Sequence, residues 1–543
     1  MKKLVIVTGG VCSSLGKGIA ASSIGVLMEA RGLAVRMVKI DPYLNMDAGT
    51  MSPYQHGEVY VTDDGAETDL DLGNYGRFTN CSLSKENSIT TGQVYHSVIE
   101  KERAGRFLGR TVQVIPHITD EIKNRILAVG QGPDVDVIIV EVGGTVGDME
   151  SIPFLEAARQ LIHEMGKQNA LSVHVTLIPM VSGGELKTKP SQHAVKELQE
   201  VGIQPDVLIC RANTPLDANL RRKLSSFTNV EFDGVISAHD APTTIYEVPL
   251  IFYEQGLDTF ILKKMGIESR HAELGEWRDM VEKFRNPVKK VRIGIVGKYM
   301  ELHDAYKSVW EALYHGGIAN DAEVELVKID SGSLESDDAS VDSILGTVDG
   351  ILVPGGFGER GIVGMVRAAR WAREHRVPYF GICLGMQIMV IDYARNVLGW
   401  ADAHSTEFDQ DTKHPVVGLL EDQVDVKAYG GTMRLGASES ILKEGSRIHE
   451  VYGSETISER HRHRYEFSNV YRSELAKAGL QISGTTSDGS LVESVEWKDH
   501  PWAIGVQFHP EFKSRPVLAH PLFSGFVGAC IAASRTDVGV AGE

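Results

Sequence analysis

Two stretches of the sequence combine residue types and spacings suited to covalent chemistry. In Tyr379-Phe380-Gly381-Ile382-Cys383-Leu384-Gly385-Met386-Gln387, a cysteine follows a short apolar run and is bracketed by glycines. This G-x-C-x-G pattern predicts a sharp strand-to-helix turn that lifts a nucleophile above a sheet at a helix N-terminus, where thiolate is favoured. Most lone cysteines are buried structural residues, and the flanking glycines are what turn the reading here. Downstream, Gln507-Phe508-His509-Pro510-Glu511 offers an imidazole to take the thiol proton and a carboxylate to fix its tautomer. Val353-Pro354-Gly355-Gly356-Phe357-Gly358 ends another apolar run in glycines, a source of backbone N–H groups for a developing oxyanion. Acyl transfer through Cys383, His509 and Glu511 is the expected chemistry.

The second stretch is Thr8-Gly9-Gly10-Val11-Cys12-Ser13-Ser14-Leu15-Gly16-Lys17-Gly18-Ile19-Ala20, again between an apolar run and a helical pattern. Glycines let backbone approach phosphate, a helix start supplies oriented N–H groups, and Lys17 can reach β- and γ-phosphates. It departs from the usual phosphate loop at two places. Val11 takes the first glycine position, and Gly18 stands where a Ser or Thr normally holds Mg2+. Carboxylates elsewhere must then hold the metal. Glu67, Asp69 and Asp71 alternate before Leu72-Gly73, and Glu141 ends an apolar run before Gly143-Gly144-Thr145. Hard Mg2+ takes one or two carboxylates plus phosphate oxygens, and ligands of open α/β sheets sit at strand C-terminal ends. Lys187-Thr188-Lys189-Pro190-Ser191-Gln192 and Arg221-Arg222-Lys223 could receive a second triphosphate, although a run of lysines is more often a solvated face.

These residues need rigid elements. Apolar runs at 4–7, 34–40, 135–142, 172–179 and 207–210 predict parallel strands covered on both faces. A second series begins at 291–296 and continues at 348–353 and 379–382, with a helix over 386–395. Between them Trp277, Met280, Val281 and Phe284 recur at helical spacing before Asn286-Pro287. The fold class is therefore α/β, with two domains that are each a mainly parallel sheet flanked by helices: a nucleotide-binding domain over 1–265, a linker over 266–290, a second domain over 291–535 and a flexible tail over 536–543. A chain of 543 residues, 42% hydrophobic and 24% charged, can fill two such cores. Its formal charge of −18 disfavours nucleic acid and anionic membrane. Five widely spaced cysteines and the lack of a long apolar run point to a reducing cytoplasm.

The second half resembles class I glutamine amidotransferases through Pro-Gly-Gly-Phe-Gly, Gly-Ile-Cys-Leu-Gly-Met-Gln and Gln-Phe-His-Pro-Glu. The first half is similar to the CTP synthase family through Ser13-Ser14-Leu15-Gly16-Lys17-Gly18, Asp41-Pro42-Tyr43, Gln55-His56-Gly57-Glu58-Val59, Asp69-Leu70-Asp71-Leu72-Gly73, Glu141-Val142-Gly143-Gly144-Thr145-Val146-Gly147-Asp148 and Lys187-Thr188-Lys189-Pro190, with Arg460-His461-Arg462-His463-Arg464-Tyr465-Glu466 in the second half. The resemblance implies ATP-dependent amination of UTP to CTP, through a phosphorylated UTP, with ammonia from L-glutamine. It implies that Ser14, Leu15, Gly16, Lys17, Gly18 and Ile19 hold ATP, with His239, Asp240 and Ala241 near adenine and Asp71 and Glu141 on Mg2+. UTP would meet Ser13, Lys187, Thr188, Lys189, Pro190, Ser191, Gln192 and Lys223, overlapping a CTP feedback site that adds Asp148, Met149 and Glu150. Glutamine would meet Gly356, Leu384, Gly385, Met386, Gln387, Glu407 and Arg464. The resemblance further implies a closed ammonia passage gated by His56, activation by GTP, homotetramers and in some members filaments. The rival readings are an amidotransferase that amidates a carboxylate in corrinoid synthesis, and a silent nucleotide-binding protein. The lysine segment at 187–192 argues against the first and the complete cysteine, histidine and glutamate set against the second.

Overall fold

Seven short runs rich in Val and Ile associate into one sheet, in the order Val235–His239, Val207–Ala212, Ala170–Leu177, Lys3–Gly9, Val137–Val142, Val35–Asp41 and Ser88–Thr90. Every ladder in it is parallel. Helices cover both faces, which is why the strands are apolar throughout rather than alternating. The protein is described by a computed structural model over residues 2–132, 134–268, 270–336, 338–419 and 433–534. The tail expected over 536–543, and residue 535 before it, lie outside the described residues.

The second sheet begins in the same manner, with Ala322–Asp330, Lys289–Gly297, Gly350–Val353, Tyr379–Ile382 and Ala503–Val506 paired in parallel. It then continues antiparallel through Val492–Trp497, Leu480–Thr486, Arg434–Leu442 and Thr456–His463. Antiparallel strands need no crossover helix. This extension therefore places Thr456–His463 at the sheet's edge without another covering layer.

The chain divides into two compact units, and the division is not linear. The first runs to Ala48 and resumes over Asp71–Val281, while the second takes Gly49–Leu70 together with the chain from Glu282 onward. Charge and hydrogen bonding explain the transfer of Gly49–Leu70. Within the second unit Arg460 Nε donates to Asp63 at 2.6 Å, Arg462 Nε donates to Glu67 at 2.8 Å, and the Ser308 backbone N–H donates to Glu58 at 2.8 Å. The tyrosine Tyr60 is buried with its hydroxyl on the Phe512 carbonyl. The linker segment forms the helix Gly275–Arg285, where Trp277, Met280 and Val281 are buried and Trp277 Nε1 donates to the Tyr246 carbonyl at 2.8 Å. Among the described residues no helix is long and apolar enough to cross a membrane.

Candidate active sites

Cys383 joins the strand Tyr379–Ile382 to the helix Leu384–Asn396 with φ 52° and ψ −100°, a conformation that non-glycine residues rarely adopt. Its N–H donates to the Val506 carbonyl at 2.7 Å. The flanking glycines follow from packing. A Cβ on Gly381 would lie 2.5 Å from the Gly385 carbonyl, and one on Gly385 would lie 2.0 Å from the Val353 oxygen. His509 Nδ1 pairs with Glu511 Oε1 at 2.7 Å, which fixes the proton on Nδ1 and leaves Nε2 as the basic atom. Both His509 and Cys383 flank Gly355, whose Cβ would meet His509 Cε1 at 2.8 Å and Cys383 Cβ at 3.7 Å. The contact of Nε2 with the sulfur falls short of ordinary hydrogen-bond geometry. Burial opposes the imidazolium, yet the charges of Glu511 and of the Cys383 sulfur outweigh it and lift His509 to about 10. Electrostatics, more than that contact, thus favours the imidazolium form of His509 beside the Cys383 sulfur.

These groups line a cavity of about 380 Å3 with Gly355, Gly356, Glu407, Arg464 and Tyr465, and with Gly49, Thr50, Met51, Glu58 and Val59 of the transferred segment. The glycine loop is held from two sides. Gly358 N–H donates to Glu407 Oε1 at 2.9 Å, and buried Lys298 donates to the carbonyls of Phe357, at 3.2 Å, and Gly358. Burial, against the pull of Glu407, brings Lys298 down to about 8. Burial also raises Glu407 despite the Gly358 N–H, Lys298 and Arg464. Of the glutamine candidates, Gly356, Glu407 and Arg464 face the cavity, while Leu384, Gly385, Met386 and Gln387 are buried in the first turn of the helix behind Cys383.

In the first unit the strand Lys3–Gly9 turns into the helix Lys17–Ala30 through Val11 at φ 81°, Ser14 at φ 58° and Gly16 at φ 85°. Val11 thus adopts the left-handed conformation for which phosphate loops usually employ glycine. Lys17 Nζ donates to the Gly144 carbonyl at 2.6 Å, and burial lowers its pKa against the pull of Glu141. The missing hydroxyl at Gly18 also has a packing cause. A Cβ there would lie 2.5 Å from Asp71 Oδ1 and 3.5 Å from Glu141 Oε2. Two carboxylates therefore fill the place a Ser or Thr side chain would take. Lys39 hydrogen-bonds Asp71 and lies 3.7 Å from Glu141 Oε1 and 3.4 Å from Asp41 Oδ1. Burial and the Asp71 charge push Glu141 up to about 7, while Lys39 and Lys17 overcome burial to hold Asp71 down. Such a carboxylate pair fits a divalent cation. Among the described residues no group of three or more His, Cys, Asp or Glu is arranged to hold a metal ion. Glu67 and Asp69 belong to the transferred segment instead, and Glu67 is engaged by Arg462.

A second cavity, of about 190 Å3, joins Ser14, Leu15, Gly16 and Ile19 to His239, Ala241 and the apolar Val175, Ile209 and Phe252. Asp240 turns away to hydrogen-bond Arg211. The lysine segment divides by exposure: Lys189 is exposed, whereas Thr188, Ser191 and Gln192 are buried at the start of the helix Lys189–Glu200, which carries Pro190 in its first turn. Ser191 Oγ donates to the Leu177 carbonyl at 2.8 Å, so only its backbone could serve a ligand. Lys187 pairs with Glu185 at 2.6 Å. Ser13, Asp148, Met149, Glu150 and Lys223 are exposed, and Asp148 accepts from the Thr145 N–H at 2.7 Å.

A family model described as CTP synthase N-terminus matches residues 3–267, and one for class I glutamine amidotransferase matches residues 301–529. A CTP synthase of Clostridium acetobutylicum is 56% identical over 97% of this chain and 98% of its own. The chain belongs to the CTP synthase family. A CTP synthase of Carboxydothermus hydrogenoformans is 55% identical over 98% of this chain and 100% of its own. Among solved structures, the glutaminase domain of Trypanosoma brucei CTPS with bound acivicin is 40% identical, with a TM-score of 0.42 over 44% of this chain and 93% of that one.

For a member of the CTP synthase family the sequence reading left several site groups unnamed. Lys39 sits inside an apolar run and Lys298 directly follows one, so neither stands out as a charge in a cleft. Lys39 lies two residues before the C-terminal end of its strand and Lys298 one residue after the end of its own, which is the signal that could have found them. Gln507 was visible only as part of a motif, and its contact with the sulfur appears only in three dimensions.

Proposed function

We propose that Cys383, His509 and Glu511 release ammonia from L-glutamine and that the phosphate loop and its carboxylates activate UTP to accept it. The overall reaction, UTP, ATP, glutamine and water to CTP, ADP, phosphate and glutamate, is that of the CTP synthase family. The carrying observation is the strained Cys383 elbow beside a histidine fixed by Glu511 at 2.7 Å. The Cys383 sulfur attacks the glutamine carboxamide carbon, and the C–N bond breaks as His509 passes its proton to the leaving nitrogen. Backbone N–H groups of the Gly355-Gly356 loop, which lines the cavity beside Cys383, would stabilise the oxyanion. Water, deprotonated by His509, then opens the thioester to give glutamate and the thiolate again. Arg464 and Glu407 suit the α-carboxylate and α-ammonium groups of glutamine.

In the first unit, O4 of UTP takes the γ-phosphoryl group from ATP and ADP leaves. Ammonia adds to C4, loses a proton, and phosphate departs with O4. Ser14, Leu15, Gly16, Lys17, Gly18 and Ile19 cradle ATP, with adenine against His239, Ala241 and the apolar cavity wall. Asp71 and Glu141 suit Mg2+, which when bound supplies positive charge at the β- and γ-phosphate oxygens. Ser13, Lys187, Lys189 and Lys223, with the backbone from Thr188 to Gln192, receive UTP, and CTP competes there with added contacts from Asp148, Met149 and Glu150. The same reading takes in His56 as the gate of a closed ammonia passage, GTP as activator, a homotetramer with filaments in some conditions, and a cytoplasmic home that suits five unpaired thiols.

The test is to incubate the chain with UTP, ATP, Mg2+ and glutamine and to follow CTP. Cys383→Ala should lose glutamine-dependent synthesis yet keep synthesis from ammonium at raised pH, and Lys17→Ala should lose both while still hydrolysing glutamine. A Cys383→Ala protein that still draws nitrogen from glutamine would remove the nucleophile assignment.

A further inference from the structure

The Cys383 sulfur has a neighbour that the three-residue set does not explain. Gln507 is wholly buried and follows directly on the strand Ala503–Val506, and its amide Nε2 donates to Cys383 Sγ at 3.6 Å. The other end of that amide is also held. Gln387 Nε2, on the helix that begins behind Cys383, reaches Gln507 Oε1 at 3.4 Å and the Tyr465 carbonyl at 3.0 Å. The Gln507 backbone N–H is fixed on the Glu493 carbonyl at 2.9 Å. With a donor on its oxygen, the Gln507 amide can present only its nitrogen to the sulfur. An N–H facing sulfur stabilises thiolate far more than thiol, because only the anion is a strong acceptor. Tyr465, whose carbonyl anchors the chain, lines the same cavity as Arg464 and Glu407.

We propose that Gln507 is a catalytic residue of the glutaminase reaction, donating a hydrogen bond to the Cys383 thiolate before attack and again as the thioester opens, and that Gln387 is the positioning residue that fixes its amide. The inference rests on the reading of Cys383 as nucleophile. It gives Gln387, which the family resemblance places on glutamine, a second role. A relay then runs from the cavity wall at Tyr465 to the sulfur, so the wall that meets substrate also sets the state of the nucleophile.

The test uses the full chain and follows alkylation of Cys383, which lines the cavity, by iodoacetamide against pH, resolved by mass spectrometry because the exposed Cys12 also reacts. Gln507→Met keeps the volume and removes the donor. Its alkylation midpoint should rise by about one pH unit, with labelling below the midpoint slower by roughly tenfold. Glutamine-dependent kcat should fall by a similar factor with KM little changed, synthesis from ammonium should persist, and an unchanged second thermal transition serves as proof that the second unit is folded. Gln387→Met should shift the midpoint in the same direction by less, and the double variant should go no further than Gln507→Met alone, since one acts through the other. Should Gln507→Met fail to fold, Gln507→Glu, of the same shape but with an acceptor facing the sulfur, must also raise the midpoint. An unshifted midpoint in whichever folded variant is used overturns the proposal. That result is distinct from failure of the nucleophile reading, which Cys383→Ala decides by itself.

Discussion

Beside Gly18, two carboxylates and the ammonium of Lys39 share a largely buried space, and the proton they hold has consequences. Glu141 is lifted to about 7 by burial and by Asp71. A free glutamate has a pKa of about 4.3, so between that value and about 7 the folded chain keeps a proton the unfolded chain has lost. The associated stability is fully present below about pH 4.3 and is lost as pH rises through 7, on the order of 3 kcal/mol for one strongly shifted group. Metal-free protein should therefore soften thermally between pH 5 and 7.5. In Glu141→Gln that slope should largely vanish, together with Mg2+-dependent CTP synthesis. Calorimetric scans across this range decide it, since a variant with the wild-type slope would place the proton elsewhere. The missing hydroxyl at Gly18 directed attention to Glu67, Asp69, Asp71 and Glu141, the family resemblance singled out Asp71 and Glu141, and those two are the carboxylates beside Gly18. It concealed Lys39, whose partners come from separate segments and meet it only on folding.

Among the elements, the turn at Cys383 is one where backbone approaches backbone closely. A methyl group on Gly385 would meet the Val353 carbonyl oxygen at 2.0 Å, and neither atom belongs to a side chain that can swing aside. Gly385→Ala should therefore push the helix Leu384–Asn396 off the sheet and destabilise the second unit by roughly 1–3 kcal/mol. Glutamine-dependent synthesis should drop at least a hundredfold while ammonium-dependent synthesis survives below the new melting temperature. Urea unfolding with the two assays checks both, and a variant with normal glutaminase activity would refute the packing argument. The elbow was legible because glycine spacing reports such contacts directly. The parallel strands were legible because burial on both faces leaves unbroken apolar runs. Ser88–Thr90, Val235–His239, Ala322–Asp330, Ala503–Val506 and the antiparallel strands were not read, the first because three residues carry no period. Thr456–His463 alternates arginine with histidine, and its charges are buried against partners such as Asp63 and Glu67, which hydropathy cannot anticipate.

For the molecule as a whole, the order of the two activities along the chain was plain from the motifs, but the exchange of Gly49–Leu70 was not. Its fixing groups, Ser308, Arg460 and Arg462, are hundreds of residues away, and no local pattern records them. A fragment beginning at Glu282 would keep Cys383, His509 and Glu511 yet lack Gly49, Thr50, Met51, Glu58 and Val59 from the cavity wall. Such a fragment should hydrolyse glutamine with KM raised about tenfold or more and melt several degrees below the second transition of the full chain. A fragment with the intact KM and melting temperature would show the segment to be dispensable. The same feature sets a clock on biosynthesis. Asp63 and Arg460 stand 397 residues apart, so at about 5–20 residues per second a ribosome separates their emergence by roughly 20–80 s. Throughout that interval Tyr60 and Val61, buried in the finished protein, lack the Arg460 and Phe512 that pack against them. The period in which a newborn chain can stick to its neighbours is therefore governed by elongation speed.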